Sequence, residues 1–140
     1  MSVLSVAPRR TGREASNAFI LPLSKTAEWW EMPALERQGY FYPHVDPGSG
    51  RPVTRHARTA ERGIGTILRR LYHNPRGHGR AGEFDFLAYF ECDDEHTCTF
   101  EDVHWALRDL AQNPEWRYVR EGPLWRGRRV LRWQRSLTLR

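Results

Sequence analysis

His56 and Arg69 stand thirteen residues apart in the 140-residue chain. The first is expected near the start of a helix and the second at the start of the strand that follows it. Across a gap between helix and sheet, such a pair sets an imidazole opposite a permanently charged guanidinium. An imidazole nitrogen donated to iron, faced by a cation that holds an anion, suits oxygen-atom transfer. Spacing alone favours a blander arrangement, with His56 capping a turn and Arg69 a solvated strand residue. Other catalytic patterns are sparse: there is no HExxH or CxxC run, no phosphate-binding GxGxxG or GxxxxGK loop is read, and nucleotide chemistry of the common kinds is not expected. Among the remaining histidines, His73 is the reserve ligand, while His78, His96 and His104 read as surface or packing residues.

The elements that must position this pair follow from periodicity and from turn residues. Val3 to Ala7 and Asn17 to Leu23 read as strands, and Ser24 to Trp30 as a turn or short helix. Pro33 can open a helix over Ala34 to Phe41, since it has no N–H to lose in a first turn. The run 42–53 is rich in proline and glycine and reads as an inserted loop that can bring Tyr42 or His44 toward a pocket. Thr54 to Ile67 reads as a helix weakened by Gly63 and Gly65, and Leu68 to His73 as a strand. Glu83 to Cys92 alternates, with Phe84, Phe86, Ala88 and Phe90 on one face. Thr99 to Ala111 places Phe100, Val103, Ala106, Leu107 and Leu110 at helical spacing. Trp116 to Val119 and Arg128 to Leu137 complete the strands. The order implies one α+β domain over 1–140, an antiparallel sheet with helices on one face.

Composition narrows the classes further. With 39% hydrophobic and 28% charged residues, and 22 Lys plus Arg against 17 Asp plus Glu, the chain reads as globular rather than disordered. Its longest apolar run, Ala18 to Leu23, is far below the ~18 residues that cross a membrane. The first residues lack the pattern of a secretory leader, so a cytoplasmic protein is expected. Cys92 and Cys98 are expected as two thiols, too few for a structural metal site. Arg126, Arg128, Arg129, Arg132 and Arg135, with Trp125 and Trp133, superficially suggest nucleic acid, but their alternation fits a sheet edge or subunit contact, and nucleic-acid binding is not the expectation.

Five runs resemble the successive signatures of the chlorite dismutase family, in order. They are Lys25-Thr26-Ala27-Glu28-Trp29-Trp30-Glu31-Met32-Pro33, Arg55-His56, Arg69-Arg70-Leu71-Tyr72-His73, Gly82 to Glu91, and Glu115-Trp116-Arg117-Tyr118-Val119. The resemblance spans about Phe19 to Arg120 and is nearest to the short, dimeric members. It implies a ferredoxin-like domain of the dimeric α+β barrel type, assembled as a homodimer, that binds heme b and converts chlorite to chloride and dioxygen. On this resemblance His56 matches the proximal iron ligand and Glu115 the acid that accepts a hydrogen bond from it. Arg69 matches the distal arginine that orients the anionic substrate and retains hypochlorite. Trp29 and Trp30 match tryptophans near the heme, and Ile67, Leu71, Phe86 and Phe90 would line it. The 42–53 loop and the basic tail depart from the short members, and these departures bear on the substrate. Two alternatives stay open: a heme-dependent peroxidase or tailoring enzyme acting on a small organic substrate, and a heme-free dimeric barrel with a binding or structural role.

Overall fold

The computed structural model describes residues 17–53 and 55–128. The expected strand Val3 to Ala7 and the tail beyond Arg128 lie outside these residues. Within them, five strands form one antiparallel sheet: β1 (Asn17–Lys25), β4 (Ile67–His73), β5 (Phe86–Cys92), β6 (Val119–Glu121) and β7 (Trp125–Arg128). The order is β4-β5-β1-β6, with β7 continuing the edge beside β1. It is an open sheet, not a closed barrel. β6 and β7 share that edge because Gly122-Pro123 breaks the run between them. A side chain at 122 has no room there, since its Cβ would come within 2.7 Å of the Phe84 ring and 3.1 Å of Pro22.

Register assigns the faces. Leu71, Ala88 and Leu21 lie in one cross-strand row, and Arg69, Phe90 and Phe19 in the next row on the same face. This face carries the core, where Phe19, Ile67 and Cys92 pack with Phe100 of helix α4 (Thr97–Ala106). The rings of Phe19 and Phe100 stack 3.8 Å apart, and burying side chains of this size contributes about 1.5–3 kcal/mol each. The opposite face leaves Leu87, Tyr72 and Trp125 exposed. Cys92 is buried and Cys98 exposed, both as free thiols. No helix among the described residues is long and apolar enough to cross a membrane.

Several expected elements differ in ways that have local causes. The helix expected over Thr54 to Ile67 is α3 (Arg55–Ala60) followed by a 3-10 turn over Glu61–Gly63. Gly65 then takes φ +84°, a conformation that ends helix and starts β4. α4 stops at Ala106 rather than Ala111, so Leu110 is exposed instead of facing the core. Glu83 to Asp85 do not join β5, because the Asp85 carboxylate is engaged by backbone N–H groups of other segments. Residues 114–118 form a 3-10 turn where a strand was expected from Trp116. The 42–53 loop contains a two-stranded hairpin, β2 (His44–Val45) with β3 (Pro52–Val53), and Tyr42 and His44 are exposed on it. Gly77-His78-Gly79-Arg80-Ala81-Gly82 does carry GxGxxG spacing, but it joins two antiparallel strands rather than a strand and a helix. It therefore lacks the context of a dinucleotide-binding turn.

Candidate active site

Strand alternation sets Lys25 on the same face as Leu21 and Leu23, at the end of β1 where the helical layer begins. Two short helices follow, α1 (Ala27–Glu31) and α2 (Ala34–Gly39). Successive helical residues point about 100° apart, and the adjacent tryptophans separate accordingly. Trp29 is buried against Tyr40, Phe41 and Tyr118. Trp30 lies toward Phe86, with its ring stacked on His78 at 3.7 Å and Arg37 5.4 Å away.

His56 is the second residue of α3 and sits beside Phe41. The residue before it, Arg55, holds φ +56°, an uncommon backbone conformation for a side chain other than glycine. The Arg55 N–H donates to Gln112 O at 2.7 Å, its guanidinium donates to Gly39 O, and its carbonyl accepts from the Thr59 hydroxyl. These bonds hold the strained start of α3 and with it the direction of the His56 ring, a placement typical of functional sites.

The 3-10 turn at 114–118 delivers Glu115, 3% exposed, between His56 and Lys25. Its Oε2 lies 3.0 Å from His56 Nδ1 and its Oε1 accepts from Lys25 Nζ at 2.5 Å. Lys25 Nζ also sits 3.9 Å above the Trp29 ring. Burial pushes the Glu115 carboxyl up, but the hydrogen bond and charge of His56 and the charge of Lys25 outweigh it. The carboxyl therefore lies below its ordinary value and stays ionised. Burial also draws the Lys25 ammonium down, against the opposing pull of Glu115. An anionic Glu115 accepting from Nδ1–H fixes the imidazole tautomer and leaves Nε2 with an available lone pair.

Arg69 is the third residue of β4, on the same sheet face. Burial draws its guanidinium below the ordinary arginine value, with the charge of Glu115 acting in the opposite sense; it remains cationic throughout the physiological range. Among the described residues it has no hydrogen-bond or ion-pair partner. A desolvated guanidinium of this kind has unused donors for an anion. Trp30 Nε1 is likewise buried without an acceptor among the described residues. An imidazole with an available nitrogen, a guanidinium with unused donors and an unsatisfied buried indole N–H would suit a carboxylate-bearing macrocycle and a small anion.

The structure brings His56, Glu115 and Trp29 into one neighbourhood, with Trp30 meeting Phe86 on its other side. Ile67 and Phe90 sit in or against the Phe19–Phe100 cluster, where packing alone accounts for them. Leu71 is half-buried in the row of Leu21 and Ala88. His73 is exposed against the Phe86 ring. Lys25, whose ammonium grips Glu115, is the residue of this cluster that sequence reasoning passed over. A lysine on the apolar side of an alternating strand was the signal that could have found it. The His78–Trp30 stack had no comparable signal, because it joins loop to helix across 48 positions.

Comparison with solved structures gives matches at probability 1.00. A dimeric chlorite dismutase from Nitrobacter winogradskyi matches at 36% identity and TM-score 0.64, over 85% of this chain and 61% of that one. Chlorite dismutase from Candidatus Nitrospira defluvii in complex with imidazole matches at 24% identity and TM-score 0.63, over 89% of this chain and 43% of that one. The second shows likeness of fold. The chain thus spans about three fifths of the first relative's length and less than half of the second's. No family model matches the sequence.

Proposed function

Because the chain belongs to a chlorite dismutase-like family, we propose that it binds heme b through His56 and converts chlorite to chloride and dioxygen. The observation that carries this reading is the contrast between a histidine held by an ionised, buried Glu115 and an arginine on the core face of the sheet with no hydrogen-bond or ion-pair partner among the described residues. Heme, when bound, supplies redox chemistry at iron. Residues of this chain supply the rest. His56 offers Nε2 while Glu115 holds Nδ1–H, and Lys25 fixes the second oxygen of Glu115 so that the carboxylate cannot rotate away. Arg69 binds and orients the chlorite anion and delays escape of a hypochlorite intermediate. Phe86, Leu71, Trp29 and Trp30 exclude water around the ring.

The test is oxygen release from chlorite by the heme-loaded chain, beside hydrogen peroxide with an electron donor. Chlorite turnover that falls in Arg69→Ala supports the proposal. Turnover of peroxide alone moves the assignment to a peroxidase or tailoring enzyme with the same ligand. Failure to take up heme leaves a barrel-type binding protein. Assembly as a homodimer belongs to the same proposal, supported by the exposed Tyr72, Leu87 and Trp125 on the uncovered sheet face and by the dimeric relative. Light scattering of the purified chain measures it.

A further inference from the structure

Asp85 lies just ahead of β5 and is 4% exposed, yet no cationic side chain pairs with it among the described residues. A buried carboxyl group without a counterion needs hydrogen bonds to offset its desolvation. Its Oδ2 accepts from the backbone N–H of Lys25 at 2.9 Å, and its Oδ1 from the backbone N–H of Gly79 at 2.7 Å. Its own N–H donates to Ser24 Oγ at 3.2 Å, and its carbonyl accepts from the Asn74 N–H at 2.8 Å.

Both carboxylate bonds end beside the site. Lys25 is the residue whose ammonium grips Glu115. β5 accompanies β1 only as far as the pair Leu23–Phe86, so on that side the Lys25 N–H has lost its strand partner and Asp85 supplies the acceptor. Gly79 follows His78, the residue stacked on Trp30. The loop bearing His78 has Gly77, Gly79 and Gly82 at positive φ, and a loop of such freedom holds a ring flat only if it is anchored.

The geometry points to Asp85 as a positioning residue that sets both the Lys25–Glu115–His56 line and the Trp30–His78 stack from one buried carboxylate. This inference rests on the heme reading above and extends it to a residue that touches neither heme nor substrate. A residue bracing the β4–β5 connection alone would be coupled to the loop and not to Lys25.

The experiment uses the full chain and Asp85→Asn, which keeps one acceptor oxygen and turns an NH2 toward the other N–H. In the heme-free protein, amide hydrogen exchange at both Lys25 and Gly79 accelerates at least about tenfold, while central β1–β5 amides keep the parent rates. In the reduced, heme-loaded protein, the iron–histidine stretching band moves from the parent position in the direction in which Lys25→Met moves it. Acceleration at Gly79 alone, with the band unmoved, overturns the inference, and so does acceleration at neither site. Should Asp85→Asn fail to fold, Gly79→Ala replaces it, since no atom lies within 4 Å of the added Cβ and only the left-handed backbone resists it. Faster exchange at Lys25 in that variant supports the coupling, and an unchanged rate overturns it. A chain that takes up no heme sinks the heme reading, while the exchange result still decides whether Asp85 joins the two segments.

Discussion

The two charged ends of the site are built on opposite terms. Around His56 the charges are matched: Lys25, Glu115 and His56 form a line of short contacts, and Glu115 is nearly inaccessible. Arg69 is half-buried, and although the charge of Glu115 acts on it, no described residue makes a hydrogen bond or ion pair with it. A matched buried set holds geometry, whereas an unmatched buried cation costs stability and is retained where a ligand will use it. Residues that hold are thus distinct from residues that bind, and substitutions at the two ends should fail in opposite ways.

The largest effect is expected on the matched side. Glu115→Ala strands the Lys25 ammonium and should cost about 3–5 kcal/mol, the usual consequence of removing one partner of a buried pair; urea unfolding of the heme-free chain measures it. Glu115→Gln keeps the shape and should weaken heme binding by about 10–100-fold, the range for partners of metal-bound histidines.

Arg69→Ala should do the reverse. Stability is unchanged or rises by about 1 kcal/mol, because no hydrogen bond or ion pair among the described residues is lost and a partly desolvated cation is removed. Chlorite turnover falls by about 100-fold or more, as when a preorganised charge-stabilising donor is deleted. A variant that unfolds readily would show Arg69 to be a holding residue and erase the contrast.

Acidity supplies a third test, smaller than the first. Glu115 titrates below its ordinary value in the folded chain, so the stability it contributes is fully present above the unfolded carboxylate value and is lost as pH falls through the folded one. Urea midpoints measured from about pH 7 down to about pH 3 should fall at the acid end, and Glu115→Gln should flatten that fall. The smallest effect belongs to a surface pair remote from both ends. Arg128→Ala, which removes the exposed contact with Asp94, should leave the urea midpoint close to that of the parent chain.

What the sequence made legible follows the reach of each signal. Alternation in β5 correctly put Phe86, Ala88 and Phe90 on one face, because period two is enforced residue by residue once a sheet is half-covered. The helix ends were harder to read. Gly65 was recognised only as a weak point, although its positive φ ends the helical stretch, and Leu110 kept helical spacing beyond the end of α4 because periodicity carries no stop signal. His56, Arg69 and Glu115 were singled out together only through family resemblance, whereas spacing alone favoured a turn cap and a solvated arginine. Lys25 and Asp85 were passed over for different reasons. Lys25 was visible as a charge on an apolar face, but Asp85 acts through backbone N–H groups 60 and 6 positions away, and no side-chain pattern encodes those partners.

The central claim is that His56 offers a ligand nitrogen oriented by Glu115. Its most direct test is a heme titration followed in the Soret region, comparing the parent chain with His56→Ala. The account predicts saturable uptake at one heme per chain, with affinity in His56→Ala reduced by about 100-fold or more, or a band displaced by loss of the axial nitrogen. Identical titrations and identical spectra for the two proteins would contradict it.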